Sequence, residues 1–311
     1  MDTRILGIHH VTAISGDAKR TLEFYRDVLG LRLIKRTVNY EDSRTYHLYF
    51  GDDRGNPGTV ISFLPYPDGS PDIPEVGESA AIAFSVPKGS LEFWQTRLLG
   101  LGLEVTDPTP RFGDEVISFK DPDSLTLEII ADAPEGVGYG WPGGPVAPAL
   151  SVRGIHSVTL NRTDISATQQ HLESAMGIPA VGSEGGRTRF RAGIKFLGSW
   201  LDIVEDPEAP IGHPGTGALF DIAFRVSSDS IQAMWKHDLE SEGLEVSEVM
   251  DRTYFKAVYF QEPGGTVLEI STDEPGFEVD ETRDALGETL ALPAWLEGHR
   301  EVIEERLPQL D

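Results

Sequence analysis

One histidine and two carboxylates are the first residues in this sequence with the potential for chemistry. His10 lies in a short apolar stretch, Asp221 precedes the tripeptide Ile-Ala-Phe, and Glu269 ends the phrase Gly-Thr-Val-Leu-Glu. Imidazole nitrogens and carboxylate oxygens are ligands for hard or borderline divalent cations. Cysteine is absent, so thiolate ligands and disulfides are excluded. We therefore predict a metal site at these three side chains, provided that the fold brings them together.

The same two positions recur along the chain. The four equivalents of the first position are His10, Ala81, His156 and Asp221, and those of the second are Ser62, Glu128, Asp202 and Glu269. Any one of these side chains alone would be an ordinary solvated strand residue. Six of the eight are potential ligands, and this repetition favours a metal-binding role.

The repeats predict which elements position these residues. Each begins with an apolar strand pattern, continues with apolar residues spaced three and four apart, as in a helix, and ends with shorter β-rich segments. The first positions are 71, 75 and 65 residues apart. We therefore predict an α+β fold in which four βαβββ modules form two domains with curved sheets.

The domain boundaries follow from composition. Residues 134–148 contain four prolines and five glycines, which is typical of a linker. We expect an N-terminal two-module domain at residues 1–133, a linker at 134–150 and a C-terminal two-module domain at 151–279. Residues 280–311 show helical apolar spacing and form a predicted helical tail. This tail would pack on the domains or on a second subunit, which would give a homodimer.

Strand alternation predicts which side chains share a face. In the first strand, His10 and Thr12 lie on one face and His9 on the other. In the fourth module, Phe220 is expected with the apolar residues that meet a covering helix, which leaves Asp221 on the open side.

Charge excludes several classes of partner. The chain has 51 acidic and 26 basic residues, a net charge of −25, which repels nucleic acid and anionic lipid. No apolar run approaches the roughly 18 residues of a membrane span, and no signal peptide follows the first residues. We expect a soluble cytoplasmic protein. Only seven residues are lysine and the carboxylates are spread along the chain, as in proteins of salt-loving organisms, so we predict a halophilic source.

The sequence resembles the vicinal oxygen chelate superfamily, which includes glyoxalases, bleomycin-resistance proteins and extradiol dioxygenases. Residues 10–12 (His-Val-Thr) followed by residues 22–31 (LEFYRDVLGL) are close to its opening signature. More narrowly, the chain is similar to hydroquinone-type ring-cleaving dioxygenases. Those matches lie at residues 45–49 (TYHLY), 252–255 (RTYF), 259–265 (YFQEPGG) and 292–297 (LPAWLE).

This resemblance implies a divalent metal, Fe(II), held by two histidines and one carboxylate. It implies that His10 and Glu269 are ligands. It also implies that four further residues position a small aromatic substrate and move its protons: His9, Thr12, Arg252 and Tyr259. His47 belongs to a matched segment without an implied role, and we expect it to be a packed strand histidine.

The sequence departs from the family where the second histidine ligand is expected. Relatives have a His-His pair there, and this chain has Phe220-Asp221. A His-Asp-Glu set adds one negative charge, which favours Mn(II) or Mg(II) over iron. The leading interpretation is a metal-dependent ring-cleaving dioxygenase. The alternatives are a glyoxalase-like isomerase or lyase that acts on a carbonyl substrate, and a metal-free small-molecule binding protein.

The pairing of the modules is a further alternative. If the first module pairs with the fourth, as the resemblance implies, the site contains His10. If the third pairs with the fourth, His156 replaces it. We expect the first arrangement, because the matched residues cluster with His10.

Overall fold

The computed structural model describes residues 4–67, 80–138, 140–193, 196–208 and 215–310. In the first half of the chain the strands are β1 (Ile8–Ser15), β2 (Arg32–Val38), β3 (Tyr46–Gly51), β4 (Val60–Pro65), β5 (Ala80–Pro87), β6 (Thr109–Arg111), β7 (Asp114–Lys120) and β8 (Thr126–Ala133). In the second half they are β9 (Gly154–Arg162), β10 (Ala180–Glu184), β11 (Arg187–Arg191), β12 (Trp200–Glu205), β13 (Leu219–Val226), β14 (Met250–Asp251), β15 (Lys256–Gln261) and β16 (Val267–Thr272).

One α-helix follows the first strand of each repeat. The α-helices of the described residues are α1 (Ala18–Glu23), α2 (Leu91–Gly100), α3 (Ser166–Gln170), α4 (Asp229–Ser241) and α5 (Arg300–Arg306). Helices α1 and α3 continue as π-helical turns at Phe24–Val28 and His171–Ala175. The order strand, helix, three strands therefore occurs four times, as predicted. Within the described ranges, no helix combines the length and apolar character needed to cross a lipid bilayer.

The strands form two sheets of eight, and each sheet joins two modules. One has the order β14-β15-β16-β13-β1-β4-β3-β2 and contains the fourth and first modules. The other has the order β10-β11-β12-β9-β5-β8-β7-β6 and contains the third and second. The predicted pairing of the first module with the fourth is confirmed, and the pairing of the third with the fourth is excluded. The linker at residues 134–150 separates the two halves of the sequence. Each sheet, however, contains one module from each half.

Two β-bulges change which side chains face the site. Strands β1 and β13 are antiparallel, with register shifts between Ile8 and His10 and again beside Thr12. Ile8 consequently packs in the main hydrophobic core, while the rings of His9 and His10 touch at 5.1 Å between centroids. A bulge places two residues of one strand opposite one residue of its neighbour, so alternation fails there.

The two alternation predictions at these bulges are therefore wrong. His9 was expected on the face opposite His10, but it lies beside His10. Phe220 was expected against a covering helix, but it lines the cavity next to Asp221. The neighbouring Leu219 takes the core position instead.

The two sheets are joined by backbone hydrogen bonds at the repeated Gly-Ile-His phrase. The N–H of Ile8 donates to Gly198 O at 2.7 Å, and the N–H of Ile155 donates to Gly58 O at 2.9 Å. A Cβ on Gly154, whose φ is +151°, would lie 2.7 Å from Gly58 O. Glycine is thus required for this close approach.

The predicted C-terminal helical tail is present. It contains α5 and short 3-10 turns at Arg283–Ala285 and Glu297–His299. Lys35 of β2 anchors it, since the buried ammonium lies 2.6 Å from the carboxylate of Asp280 and also contacts Glu281.

Candidate metal centre

Three neighbouring strands bring His10, Asp221 and Glu269 together. His10 is on β1, Asp221 is on the adjacent β13, and Glu269 is on β16 beyond it. Each offers one ligand atom, and these atoms all lie within 4.8 Å of one another. All three side chains are buried, and His10 Nε2 lies 3.7 Å from Glu269 Oε2. The structure therefore assembles the three predicted ligands into one cluster.

Asp221 shows that a polar partner is missing from this cluster. Its Oδ1 atom is buried and has no hydrogen-bond partner among the described residues. Leaving a buried carboxylate oxygen unpaired is costly unless a cation or a donor lies beside it. One nitrogen and several carboxylate oxygens in a closed group are a donor set that a divalent cation accepts. The residues present therefore fit a divalent metal site.

The pKa values of the two carboxyl groups are consistent with this fit. Burial, and next the negative charge of Glu269, raise the pKa of Asp221 well above its usual range. Burial also raises the pKa of Glu269, although bonds from Ser271 and Tyr259 and the charge of Arg252 oppose this rise. Two buried carboxylates without a cation repel each other. A divalent cation between them would reverse both shifts.

His9 orients the imidazole of His10. Their Nδ1 atoms lie 2.9 Å apart, so one of them carries a proton. If His10 offers Nε2 as the ligand, its proton is on Nδ1 and is donated to His9. The proton of neutral His9 is then on Nε2, consistent with a hydrogen bond to the backbone of Thr272. Burial lowers the pKa of both rings, so both are neutral, as metal ligation by His10 requires.

A second chain of hydrogen bonds ends at Glu269. Arg252 Nε donates to the hydroxyl of Tyr259 at 3.1 Å, and Tyr259 in turn hydrogen-bonds to Glu269. Tyr259 and Glu269 are cross-strand partners on β15 and β16. The guanidinium is also paired with Glu41. Arg252 therefore places a fixed positive charge close to the cluster.

The cluster lies at a cavity of about 580 Å³. Of the residues predicted to act on a substrate, Thr12, Arg252 and Tyr259 line it, together with the predicted ligands His10 and Asp221. His9 is not among the lining residues and acts behind His10. The volume suits a small aromatic molecule, since pockets for small molecules span roughly 300–1,000 Å³.

Sequence reasoning missed part of this cavity. His47 was expected to be an ordinary packed histidine, but it lines the cavity and hydrogen-bonds to Ser62 and Tyr49. The period-two spacing of His47 and Tyr49 on one strand was the available signal, since it places both on the face that carries Ser62. Phe255, which contacts the rings of both His9 and His10, was matched only as part of a segment.

The second sheet holds Glu128 and Asp202, two of the other copies of the second ligand position, and each of them is paired with arginine. Arg111 makes two hydrogen bonds to Glu128, and Arg189 makes two to Asp202. These acids are therefore neutralised within the protein. Among the described residues, only the first sheet has three potential ligands in one group. His156 accordingly takes no part in a metal cluster.

Comparison with known proteins agrees with this arrangement. The family model for the Glyoxalase/Bleomycin resistance protein/Dioxygenase superfamily matches residues 7–129. A Bacillus subtilis (strain 168) protein named as the ring-cleaving dioxygenase MhqO is 40% identical over 99% of this chain and 97% of its own length. The chlorohydroquinone/hydroquinone 1,2-dioxygenase of Sphingobium indicum is 32% identical over 95% of this chain and 94% of its own.

Solved structures agree as well. A crystal structure of a protein from Bacillus subtilis that is named as a dioxygenase has a TM-score of 0.92 and 40% identity, and the match covers 99% of this chain and 98% of that one. Glyoxalase I from Zea mays has a TM-score of 0.62 at 15% identity, over 86% of this chain and 92% of that one, which shows a common fold alone. On its fold and its full-length relatives, this chain belongs to the glyoxalase/bleomycin resistance protein/dioxygenase superfamily.

Proposed function

We propose that the protein is a metal-dependent dioxygenase that opens the ring of a hydroquinone-type aromatic diol. The observation that carries this proposal is the buried cluster of His10, Asp221 and Glu269 at a cavity of about 580 Å³. Full-length relatives at 32–41% identity named as ring-cleaving or hydroquinone dioxygenases support the same chemistry. They favour it over a glyoxalase-like isomerase and over a metal-free binding protein.

The residues around the cavity have separable roles in this proposal. A divalent cation held by the three ligands supplies Lewis acidity, which lowers the pKa of a coordinated phenol. Arg252 stabilises negative charge on a substrate oxygen, because its guanidinium lines the cavity. Burial raises the pKa of Tyr259 and keeps its hydroxyl protonated, so Tyr259 is placed to donate a proton to a substrate oxygen, and Thr12 offers a hydroxyl at the cavity wall. His9 keeps His10 in the tautomer that presents Nε2.

The ligand set influences which metal binds. The family resemblance implies Fe(II), whereas the second carboxylate, Asp221, favours oxygen-loving ions. We infer that Mn(II) or Mg(II) binds more tightly relative to iron here than in a site with two histidines. Metal analysis of protein purified without chelator would test this.

We also propose that the protein works in a salt-rich cytoplasm, because its net charge of −25 needs screening. The homodimer through the tail stays a prediction.

Oxygen consumption with hydroquinone is the direct test of the function. Protein loaded separately with Fe(II), Mn(II) or Mg(II) is mixed with hydroquinone in an oxygen electrode, and ring opening is followed by loss of the aromatic absorbance. We expect uptake with at least one redox-active metal, and Glu269→Gln should abolish it. Isomerisation of a glutathione hemithioacetal without oxygen uptake would support the alternative and contradict this proposal.

A further inference from the structure

A row of polar side chains crosses four neighbouring strands and ends at the candidate metal centre. Asp221 on β13 pairs with Thr12 on β1, Thr12 pairs with Ser62 on β4, and Ser62 pairs with Tyr49 on β3. His47 is two residues from Tyr49 and therefore shares its face. Polar groups so deep in a sheet need a reason, since apolar residues would pack there without requiring partners.

These side chains are linked by hydrogen bonds of ordinary length. Tyr49 OH lies 3.0 Å from His47 Nδ1, and His47 Nε2 lies 3.0 Å from Ser62 Oγ. Ser62 Oγ donates to Thr12 Oγ1 at 3.1 Å. Thr12 is the register partner of Asp221, and its hydroxyl faces that carboxylate. We call these four residues, Tyr49, His47, Ser62 and Thr12, the Tyr49 chain.

The carboxylate of Asp221, at the end of the Tyr49 chain, determines which atom donates and which accepts in every hydrogen bond. A carboxylate can only accept, so Thr12 donates to Asp221 and must itself accept the hydroxyl proton of Ser62. The hydroxyl proton of Ser62 is used in that bond, so Ser62 Oγ accepts a hydrogen bond from His47, whose proton is on Nε2. Burial and the charge of Arg252 hold the pKa of His47 well below its usual value, so the ring is neutral and Nδ1 accepts from Tyr49.

All four donors therefore point towards Asp221, an arrangement in which each hydrogen bond polarises the next. Asp221 Oδ1 is buried and has no hydrogen-bond partner among the described residues. Oδ1 is left available for a cation.

We propose that His47 and Tyr49 are positioning residues that act through Ser62 and Thr12 to orient Asp221 as a metal ligand. Neither residue contacts Asp221, and both belong to the wall of the cavity. The inference rests on the metal centre of the proposed function, but it concerns metal affinity and does not require ring cleavage. Loss of such outer hydrogen bonds typically weakens metal binding about 10- to 100-fold.

The test is a calorimetric titration of metal-free protein with Mn(II) at high salt. We expect His47→Leu and Ser62→Ala to weaken Mn(II) binding by about 10-fold or more, and Tyr49→Phe to weaken it less. His47→Gln should recover most of the affinity, because a carboxamide can donate to Ser62 and accept from Tyr49. Tyr254→Phe is the matched control, since it removes a hydroxyl that bonds to Asp280 instead.

Unchanged Mn(II) affinity in folded Ser62→Ala and Tyr49→Phe would overturn the proposal, as would equal losses in His47→Gln and His47→Leu. If His47→Leu does not fold, Ser62→Ala and Tyr49→Phe decide, because each removes a single hydroxyl. Wild-type protein that binds no Mn(II) would also overturn it. Wild-type protein that shows the expected pattern of affinities without oxygen uptake would refute the proposed function and leave this inference standing.

Discussion

Asp221 is the residue at which the candidate centre departs most from the family pattern. Its carboxylate adds a second negative charge beside Glu269, and both groups are buried. In Asp221→His an imidazole replaces this charge, so the free energy of binding iron should improve relative to manganese. We expect the ratio of Fe(II) to Mn(II) affinity to rise by about tenfold, or 1.4 kcal/mol.

A double variant extends this prediction to oxygen uptake. Phe220 lines the cavity beside Asp221, so Phe220→His with Asp221→His should give more oxygen uptake than the single change. Phe220→Leu with Asp221→His is the control for loss of the ring. Metal titration and oxygen-electrode rates check both steps. Wild-type protein that matches the double variant in iron binding and ring cleavage would show that Asp221 is already a competent ligand for this chemistry.

Asp132, in the second sheet, offers a test of pH dependence away from the metal centre. Burial raises its pKa to about 6. The nearby His156 is neutral, because burial lowers its pKa to about 3, and so it gives no compensating charge. The folded protein thus binds this proton more tightly than the unfolded chain. Asp132 therefore lowers the free energy of unfolding as pH rises from about 4 to about 6.

Asp132→Asn removes this dependence while an oxygen remains to accept from Ser85. We expect the variant to gain about 1–2 kcal/mol over wild type at pH 8, after allowance for solvent screening, and nothing at pH 4. Urea unfolding of both proteins in 1 M KCl measures the difference. Asp107→Asn, at an exposed site, is the control. A gain of equal size at both pH values would be incompatible with a raised pKa.

At the scale of strands and helices, the repeated sequence phrases predicted more of the structure than the alternation of side chains along the strands did. The module order follows from repeated phrases that the chain carries in full, such as the Gly-Ile-His at residues 7–9 and 154–156, whereas the pairing of modules was expected from the family resemblance. Alternation correctly placed His10, Thr12 and Glu269 towards the site. It failed at His9 and Phe220, because a β-bulge depends on the register of two strands about 210 residues apart and leaves no local pattern.

The Tyr49 chain could not be predicted from the sequence for a similar reason. It needs β13, β1, β4 and β3 to be neighbours in a fixed register, and this order is set by tertiary packing. In the tail, the apolar spacing around Leu290 and Trp295 is helix-like, but the α-helix of its described residues covers residues 300–306. Trp295 stays 57% exposed and packs on Tyr40.

The attachment of the tail depends on Lys35. Its ammonium is fully buried between Asp280 and Glu281, so Lys35→Met leaves two carboxylates without their partner. We expect a loss of about 3 kcal/mol in the free energy of unfolding and faster proteolysis of the tail. Lys256→Met is the matched control, because it removes an exposed ion pair with Asp229, which solvent screens. Equal effects of the two changes would rule out the anchoring role.

At the scale of the whole molecule, one duplicated arrangement of strands carries two different sets of polar side chains. Both sheets combine two modules in the same strand order, yet within the described ranges only the first gathers three potential ligands, while Arg111, Arg187 and Arg189 neutralise the acids of the second. Of the six ligand-type side chains, three therefore gather in the first sheet, and Glu128 and Asp202 are paired with arginines in the second. The remaining carboxylates are mostly on the surface, and they determine how the molecule responds to salt.

The net charge of −25 makes folding dependent on ionic strength. Surface carboxylates repel one another over a Debye length of about 30 Å at 0.01 M salt, but only about 3 Å at 1 M. The thermal midpoint should therefore rise steeply with KCl. A variant with Asp107→Lys, Glu245→Lys and Glu301→Lys changes three exposed sites by two charges each, from −25 to −19, and should need less salt for the same midpoint.

Calorimetric scans of both proteins from 0.01 to 3 M KCl measure this difference, and sucrose at matched osmolality separates charge screening from general exclusion effects. We expect the two midpoints to differ most at low salt and to converge as screening removes the repulsion. Sucrose should raise both midpoints equally, because it does not screen charge. A wild-type midpoint that stays flat from dilute buffer to molar KCl would mean that the acidic surface carries no self-repulsion that folding must overcome, and the salt-adapted origin would lose its physical basis.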